Sequence, residues 1–278
     1  MTTHQASPSA GTATPPERDP DGRIIVEQRG PILLIGIDRP EKRNGMTPKM
    51  FGELARACTR LEDSEDLFVG LVHAMGDHFS GGVDLLKIAP LRQAGQPLYP
   101  PDEADPFNLR GRLRRKPMVV AFKGISFTWA VELGLASEIC VAADDCRFAQ
   151  QEVARGIMPS CGASFRLAQR AGWGHAMKIL LTGQEFGAEE AMRLGLVQEV
   201  VPAGQEFDRA LGYAQRIAAQ APLAVQAVME NARIAMGSGP AAAAGLLEQA
   251  QRRLYATEDV QEGIRSFAEK RPAVFRGR

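Results

Sequence analysis

Glu132 and Glu152 are the residues best suited to acid–base work. Glu132 sits near the start of TWAVELGLASEICVAAD (Thr128 to Asp144), and Glu152 follows RFAQQ and precedes VARGIMP. Both have apolar neighbours, and a carboxylate taken out of water must be paired, solvated or used. If Thr128 caps a helix, Trp129 is its first residue and Glu132 falls in or just after the first turn. The opening amides of a helix lack intrahelical acceptors, and the macrodipole is positive at that end. The Trp129 N–H could then hold an oxyanion, and the same dipole favours an ionised Glu132. No helical period links the two glutamates, so only the fold can bring them together. Ion-paired or capping glutamates are the plainer alternative. A third feature is FSGGVDLL (Phe79 to Leu86), where two glycines mark a tight turn or a close backbone approach.

The elements that must position these groups follow from periodicity. RIIVEQR and ILLIGIDR read as two strands joined by Gly30-Pro31, a hairpin signal. In TPKMFGELARACTRLED, Thr47 is the N-cap and Pro48 the first helical residue. Phe51, Leu54, Ala55, Cys58 and Leu61 then form one apolar face. LFVGLVHA and PMVVAFKG read as buried strands, and ICVAAD and CRFAQ as two short ones around Asp144-Asp145. Residues 89–108 hold five prolines and predict a long irregular loop or lid. AEEAMRLG predicts a helix ending on a glycine cap, and four further segments between Phe207 and Arg271 are helical in pattern. Alternation followed by helices predicts an α/β core with a helical C-terminal extension.

Several function classes recede on composition. Lys plus Arg and Asp plus Glu both number 33 in 278 residues, so no global field favours nucleic acid or anionic lipid. The strongest basic run, RGRLRRKP (Arg110 to Pro117), reads as a solvated helix end before a strand. Cys58, Cys140, Cys146 and Cys161 form no C-x-x-C, and the four histidines do not join them at zinc spacing. Reduced thiols, a cytoplasmic location and no metal are expected. No membrane span or signal peptide is legible, and the Pro-, Ser- and Thr-rich residues 1–22 predict a disordered tail. There is no G-x-G-x-x-G and no Walker A motif. Glu138 and Asp144 read as structural, and Trp173 as a packing residue.

Along nearly its whole ordered length the chain resembles the enoyl-CoA hydratase/isomerase (crotonase) superfamily. IDRPEKRNGM is similar to the family's R-P-x-x-x-N-A-L run, and HFSGGVDL to its F-S-A-G-x-D-L turn. KGISFTWAVELGLASEICVAADDCRFAQQEVARGIMPSCGASFRL is similar to its central signature. LLTGQEFGAEEAMRLGLVQEVVP and FAEKRPAVFRGR complete the match. The resemblance implies a crotonase-like (ClpP/crotonase) spiral of ββα units with a helical C-terminal region. It implies a core over 23–203 and a region over 204–278 that oligomerises and completes the coenzyme A site, in a trimer or dimer of trimers.

It also implies hydration of a trans-2-enoyl-CoA, as in fatty acid metabolism, with coenzyme A part of the substrate and no cofactor. Two main-chain donors, the N–H groups of Val83 and Trp129, would form an oxyanion hole. Glu132 would activate water and Glu152 would protonate the α-carbon. Substrate contacts would come from Gly81, Gly82, Asp84, Leu85 and Met46. Lys42 and Arg43 would approach the phosphates, and Phe267 and Lys270 would complete the site, in some members that of a neighbouring subunit. Where the family usually has glycine this chain has Trp129, whose indole is expected to narrow or reshape the acyl pocket. An isomerase or other enolate chemistry, a silent acyl-CoA-binding homologue and a nucleic-acid-binding relative are the alternatives.

Overall fold

The computed structural model describes residues 19–278. The expectation of a disordered tail therefore lies, for residues 1–18, outside the described residues. Residues 19–22 form a turn, with Gly22 N donating to Asp19 O and Thr47 Oγ1 to Asp21 O. Described order thus begins a few residues before Arg23.

β1 (Arg23–Arg29) and β2 (Ile32–Asp38) form the expected antiparallel hairpin. α1 (Pro48–Asp63) starts as its sequence dictates, with Thr47 Oγ1 accepting from Met50 N. β3 (Val69–Ala74) runs parallel to β2. α2 (Leu85–Gln93) occupies the start of the proline-rich segment read as irregular; Pro90 lies within this short helix. Beyond it come two small parallel strands, β4 (Ala104–Asp105) and β5 (Arg112–Leu113). β6 (Met118–Phe122), β7 (Ile125–Phe127), α3 (Trp129–Ala136), β8 (Ile139–Ala143) and β9 (Arg147–Ala149) carry the central stretch. α4 (Ala163–Ala171), α5 (Trp173–Thr182), β10 (Phe186–Gly187), α6 (Ala188–Arg193) and β11 (Glu199–Val201) follow. The chain closes with α7 (Glu206–Ala218), α8 (Pro222–Ser238), α9 (Pro240–Tyr255) and α10 (Glu258–Glu269).

The main sheet has the order β1-β2-β3-β6-β8-β11, parallel except at β1/β2. Period-2 alternation divides it into two faces. Ile32, Leu34, Val69, Leu71, Val119 and Val141 meet Ala210 and Ala214 of α7. Leu33, Ile35, Ile37, Val72, Val120 and Phe122 join the larger core with α1 and α3. A second sheet, β10-β9-β7, lies beyond that core. α3 is buried along its whole length. It lies close to β6, because a side chain at Gly134 would put its Cβ 2.7 Å from the Phe122 ring.

Two readings are corrected. The basic run ending at Pro117 is not a solvated helix end. Arg114 is fully buried and donates to Ala136 O and Lys116 O, and Lys116 Nζ donates to Leu61 O and Ser64 O at the end of α1. Buried carbonyls at a helix C-terminus attract cations, so these residues act as internal caps. Trp173 is no packing residue within the chain, being 74% exposed at the start of α5. Glu138 and Asp144 are structural, as read: Glu138 accepts from Met118 N and Arg233, and Asp144 from Ala203 N. No helix among the described residues is long and apolar enough to cross a membrane.

Candidate active site

Three neighbouring chain segments explain how residues far apart in sequence meet. β7 and β9 are parallel, with Phe127 opposite Ala149. On the other side of β7, Ser80 bridges Ser126 in parallel, Ser80 N donating to Ile125 O and Phe127 N to Ser80 O. All three segments therefore leave in one direction at one level. Gly81-Gly82-Val83 emerges from the first, Thr128, Trp129 and Glu132 from the second, and Gln150 to Glu152 from the third. Thr128 N donates to Ala149 O at 2.7 Å and locks the last two together.

Glu132 is 2% exposed on the first turn of α3. Its Oε1 accepts from Cys161 N at 2.7 Å and Ala163 N at 3.1 Å, which leaves Oε2 for another partner. Burial pushes its carboxyl up to about 7 against the pull of those two amides, and the charge of Glu152 adds to the rise. Glu152 opens a single 3-10 turn after β9 and is also buried, and burial raises its carboxyl too. Gln150, with its amide nitrogen turned toward Glu152, donates to both carboxylate oxygens at 2.9 Å. Burial holds both acids against ionisation, and the charge of Glu152 adds to the effect on Glu132. Such a pair can accept a proton at one oxygen and deliver one at another.

The glycine turn is held from behind. Gly81 N donates to Arg43 O at 2.7 Å, Met46 N to Gly82 O, and Asp84 N to Met46 O. Gly82 has φ +110, and a Cβ there would lie 2.9 Å from Thr128 Oγ1, so only glycine fits. Among the described residues neither Val83 N nor Trp129 N has a hydrogen-bond acceptor. Unpaired amides at a turn and at a helix start can stabilise an oxygen that gains negative charge.

Thr128 departs from its expected role as a cap. Its φ of 56° and ψ of −113° are outside the conformations a β-branched residue prefers, and its side chain makes no capping bond. Its buried Oγ1 has no partner. Trp129 departs further. Its indole packs edge-on to Phe51 and against Phe79, and Nε1 donates to Ser80 Oγ at 2.9 Å and Gly82 O at 3.0 Å. The indole occupies the core behind the turn and is not in the lining of the cavity beside Cys161.

The other expected contacts divide. Lys42 and Arg43 are exposed next to the turn, and Leu85 is partly exposed at the start of α2. Met46 is fully buried, so its side chain is a core residue and its backbone a brace. Asp84 pairs with the buried Arg39 at 2.9 Å and anchors α2 to the segment before α1. Phe267 lies on α10 and Lys270 caps its C-terminal end, and α10 packs on α9 and the C-terminal residues. Within one chain they are not brought to the carboxylates.

Sequence reasoning missed Ser80, Asn44 and Gln150. Asn44 accepts from Arg39 N and donates to Met75 O and His78 O, and Ser80 Oγ donates to Asn44 O. Their signal was only that polar residues flank glycines and an arginine inside otherwise ordinary motifs. A cavity of about 120 Å³ is lined by Leu98, Tyr99, Leu109, Arg110, Ser160 and Cys161 among others, and neither carboxylate is in its lining. Cys161 is the residue whose amide holds Glu132. Among the described residues no group of three or more His, Cys, Asp or Glu could hold a metal ion.

Residues 27–278 match the family model described as enoyl-CoA hydratase/isomerase. Enoyl-CoA hydratase EchA19 of Mycobacterium tuberculosis is 32% identical over 94% of this chain and 98% of its own length. The 2,3-dehydroadipyl-CoA hydratase of Escherichia coli is 31% identical over 92% of this chain and 99% of its own. A crystal structure described as a probable enoyl-CoA hydratase/isomerase from Mycobacterium abscessus superimposes with a TM-score of 0.88. It is 42% identical and covers 92% of this chain and 98% of its own.

Proposed function

The chain belongs to the enoyl-CoA hydratase/isomerase family, within the crotonase superfamily, and we propose the following course for the hydration it catalyses. The thioester carbonyl of a trans-2-enoyl-CoA sits between Val83 N and Trp129 N. Water held by Glu132 Oε2 adds to the β-carbon while Glu132 takes its proton. The electron pair of the double bond moves to the thioester oxygen, where the two amides stabilise the enolate. Glu152 then delivers a proton to the α-carbon. Each main-chain donor of this kind contributes about 3 kcal/mol to the barrier reduction, and each positioned carboxyl about 10²–10⁴ in rate. Water, one proton in and one proton out balance the reaction, so no metal or redox cofactor is invoked and coenzyme A enters as part of the substrate.

The observation that supports this reading is the parallel alignment of three backbone segments, from whose neighbouring ends both carboxyls and both free amides follow. An isomerase needs one acid–base group; two carboxyls, each held against ionisation by burial, suit the addition of water, which needs a base and an acid.

The cavity beside Cys161 receives the acyl chain. A dry cavity of ~150 Å³ holds a benzene ring, so about 120 Å³ suits short or compact acyl groups. Lys42 and Arg43 face the coenzyme A phosphates. The half-exposed Leu246 and Leu247 of α9 and the exposed Phe267 of α10 meet neighbouring copies in a trimer or dimer of trimers, where Phe267 and Lys270 reach a partner's substrate. Four buried, unbridged cysteines accord with a cytoplasmic location.

Hydration of a short 2-enoyl-CoA by the native chain, Glu132→Gln and Glu152→Gln is the test. Loss of at least 10²-fold in kcat in each variant is expected. Full hydration by either would remove that residue from the mechanism.

A further inference from the structure

The indole of Trp129 takes no part in the mechanism above, yet it is hydrogen-bonded to the peptide that carries one of its donors. The peptide between Gly82 and Val83 is trans, so the Gly82 carbonyl and the Val83 N–H point in opposite directions. Three groups lie within hydrogen-bond distance of Gly82 O: Met46 N at 3.0 Å, Trp129 Nε1 at 3.0 Å and Ser80 Oγ at 3.1 Å. A serine hydroxyl has one proton, and the shorter contact, 2.8 Å to Asn44 O, claims it. Ser80 Oγ is then an acceptor, taking Gly82 N at 3.1 Å and a share of the indole N–H at 2.9 Å. The carbonyl is left with one main-chain donor, Met46 N, and one side-chain donor, the indole.

Two effects follow. Donors on the carbonyl side fix the rotation of the peptide plane, and that aims Val83 N–H away from the indole and Met46. A hydrogen bond accepted by a peptide carbonyl also polarises its N–H, by ~10–30% per bond in condensed-phase estimates. The indole is itself fixed, 2% exposed and packed against Phe51 and Phe79. Resting on the proposed function, the geometry points to Trp129 as a positioning residue for the oxyanion hole: its main-chain N–H is one donor, and its indole N–H aims and polarises the other, that of Val83. A glycine at this position would supply only the first.

The test replaces Trp129 by 3-benzothienylalanine, which keeps the shape of indole and has sulfur in place of N–H. The parent is Trp173→Phe, which leaves Trp129 the one tryptophan in the chain. Two quantities are read: kcat and KM for 2-enoyl-CoA hydration, and the thioester carbonyl stretch of bound acyl-CoA by difference infrared spectroscopy. Removing a whole oxyanion donor costs about 10²–10³ in kcat; weakening one from behind is expected to cost about tenfold. KM and the thermal midpoint should stay at the parent values, and the carbonyl stretch should rise toward that of free thioester. Trp129→Phe, made by ordinary mutagenesis, should move kcat and the stretch the same way. A stretch that the parent lowers and both variants leave lowered, with kcat unchanged, would overturn the inference alone. A parent that binds acyl-CoA without lowering the stretch would overturn the proposed oxyanion site, and the inference with it.

Discussion

Replacing Glu132 by glutamine should move stability and activity in opposite directions. Glu132 Oε1 already accepts two backbone N–H bonds, from Cys161 and Ala163, and a glutamine oxygen can keep both. What the substitution removes is a buried ionisable group. Its pKa is raised from 4.5 to about 7 by burial first and the charge of Glu152 second. At 1.36 kcal/mol per unit, that rise costs the folded state about 3 kcal/mol once the group is ionised. A carboxyl raised on folding leaves stability intact below its unfolded value and erodes it as pH climbs through the folded value. The native chain should therefore lose stability between pH 4.5 and about 7 through this group. Glu132→Gln should lack that component. Urea unfolding at fixed protein concentration should show the variant more stable by up to about 3 kcal/mol at pH 8, with little difference at pH 5. Its hydration rate should be down by about 10²–10⁴. A variant less stable than the native chain at pH 8 would refute a Glu132 held against its ionisation. A difference independent of pH would do the same.

Other consequences follow from the same geometry. Hydration kcat/KM should be bell-shaped in pH, falling in acid as the base Glu132 takes up a proton and in alkali as the acid Glu152 loses its own; a profile with no acid limb would contradict the role of Glu132. Thr128→Gly should raise the urea midpoint. It relieves a φ of 56° and an unpartnered buried hydroxyl, for a net gain of about 2 kcal/mol after the entropy cost of glycine; a lower midpoint would show that Thr128 is not strained. Leu109→Ala enlarges the cavity beside Cys161 and should shift relative kcat/KM toward longer acyl chains by about tenfold, measured on a chain-length series of 2-enoyl-CoA esters; an unchanged ranking would place the acyl chain elsewhere.

What could be read from sequence was what local chemistry determines. Thr47 and Pro48 start α1 as their types require, and the β1/β2 hairpin follows from its turn and flanking strands. Glu132 and Glu152 could be singled out because carboxylates among apolar residues are conspicuous. Their meeting could not be derived locally, since it depends on Phe127 lying opposite Ala149 in a parallel pair, a non-local registration. β11 was missed because its three residues, Glu199–Val201, form a strand only by docking on β8. α2 was hidden by the prolines around it, although Pro90 lies within the helix. The basic run misled because charge suggests solvent, whereas Arg114 and Lys116 spend theirs on buried carbonyls. Trp129 misled because a bulky residue in place of glycine suggests obstruction; Phe51, Phe79 and Ser80, distant in sequence, supply the space and the acceptor that draw it inward.

The most direct measurement is the structure of the Glu132→Gln chain with a 2-enoyl-CoA bound. The thioester oxygen is expected about 3 Å from both Val83 N and Trp129 N, with the double bond between residues 132 and 152 and the indole still on Ser80. A thioester oxygen bound away from those two amides, or side chains 132 and 152 on opposite sides of a wall from the double bond, would contradict the proposed catalytic arrangement.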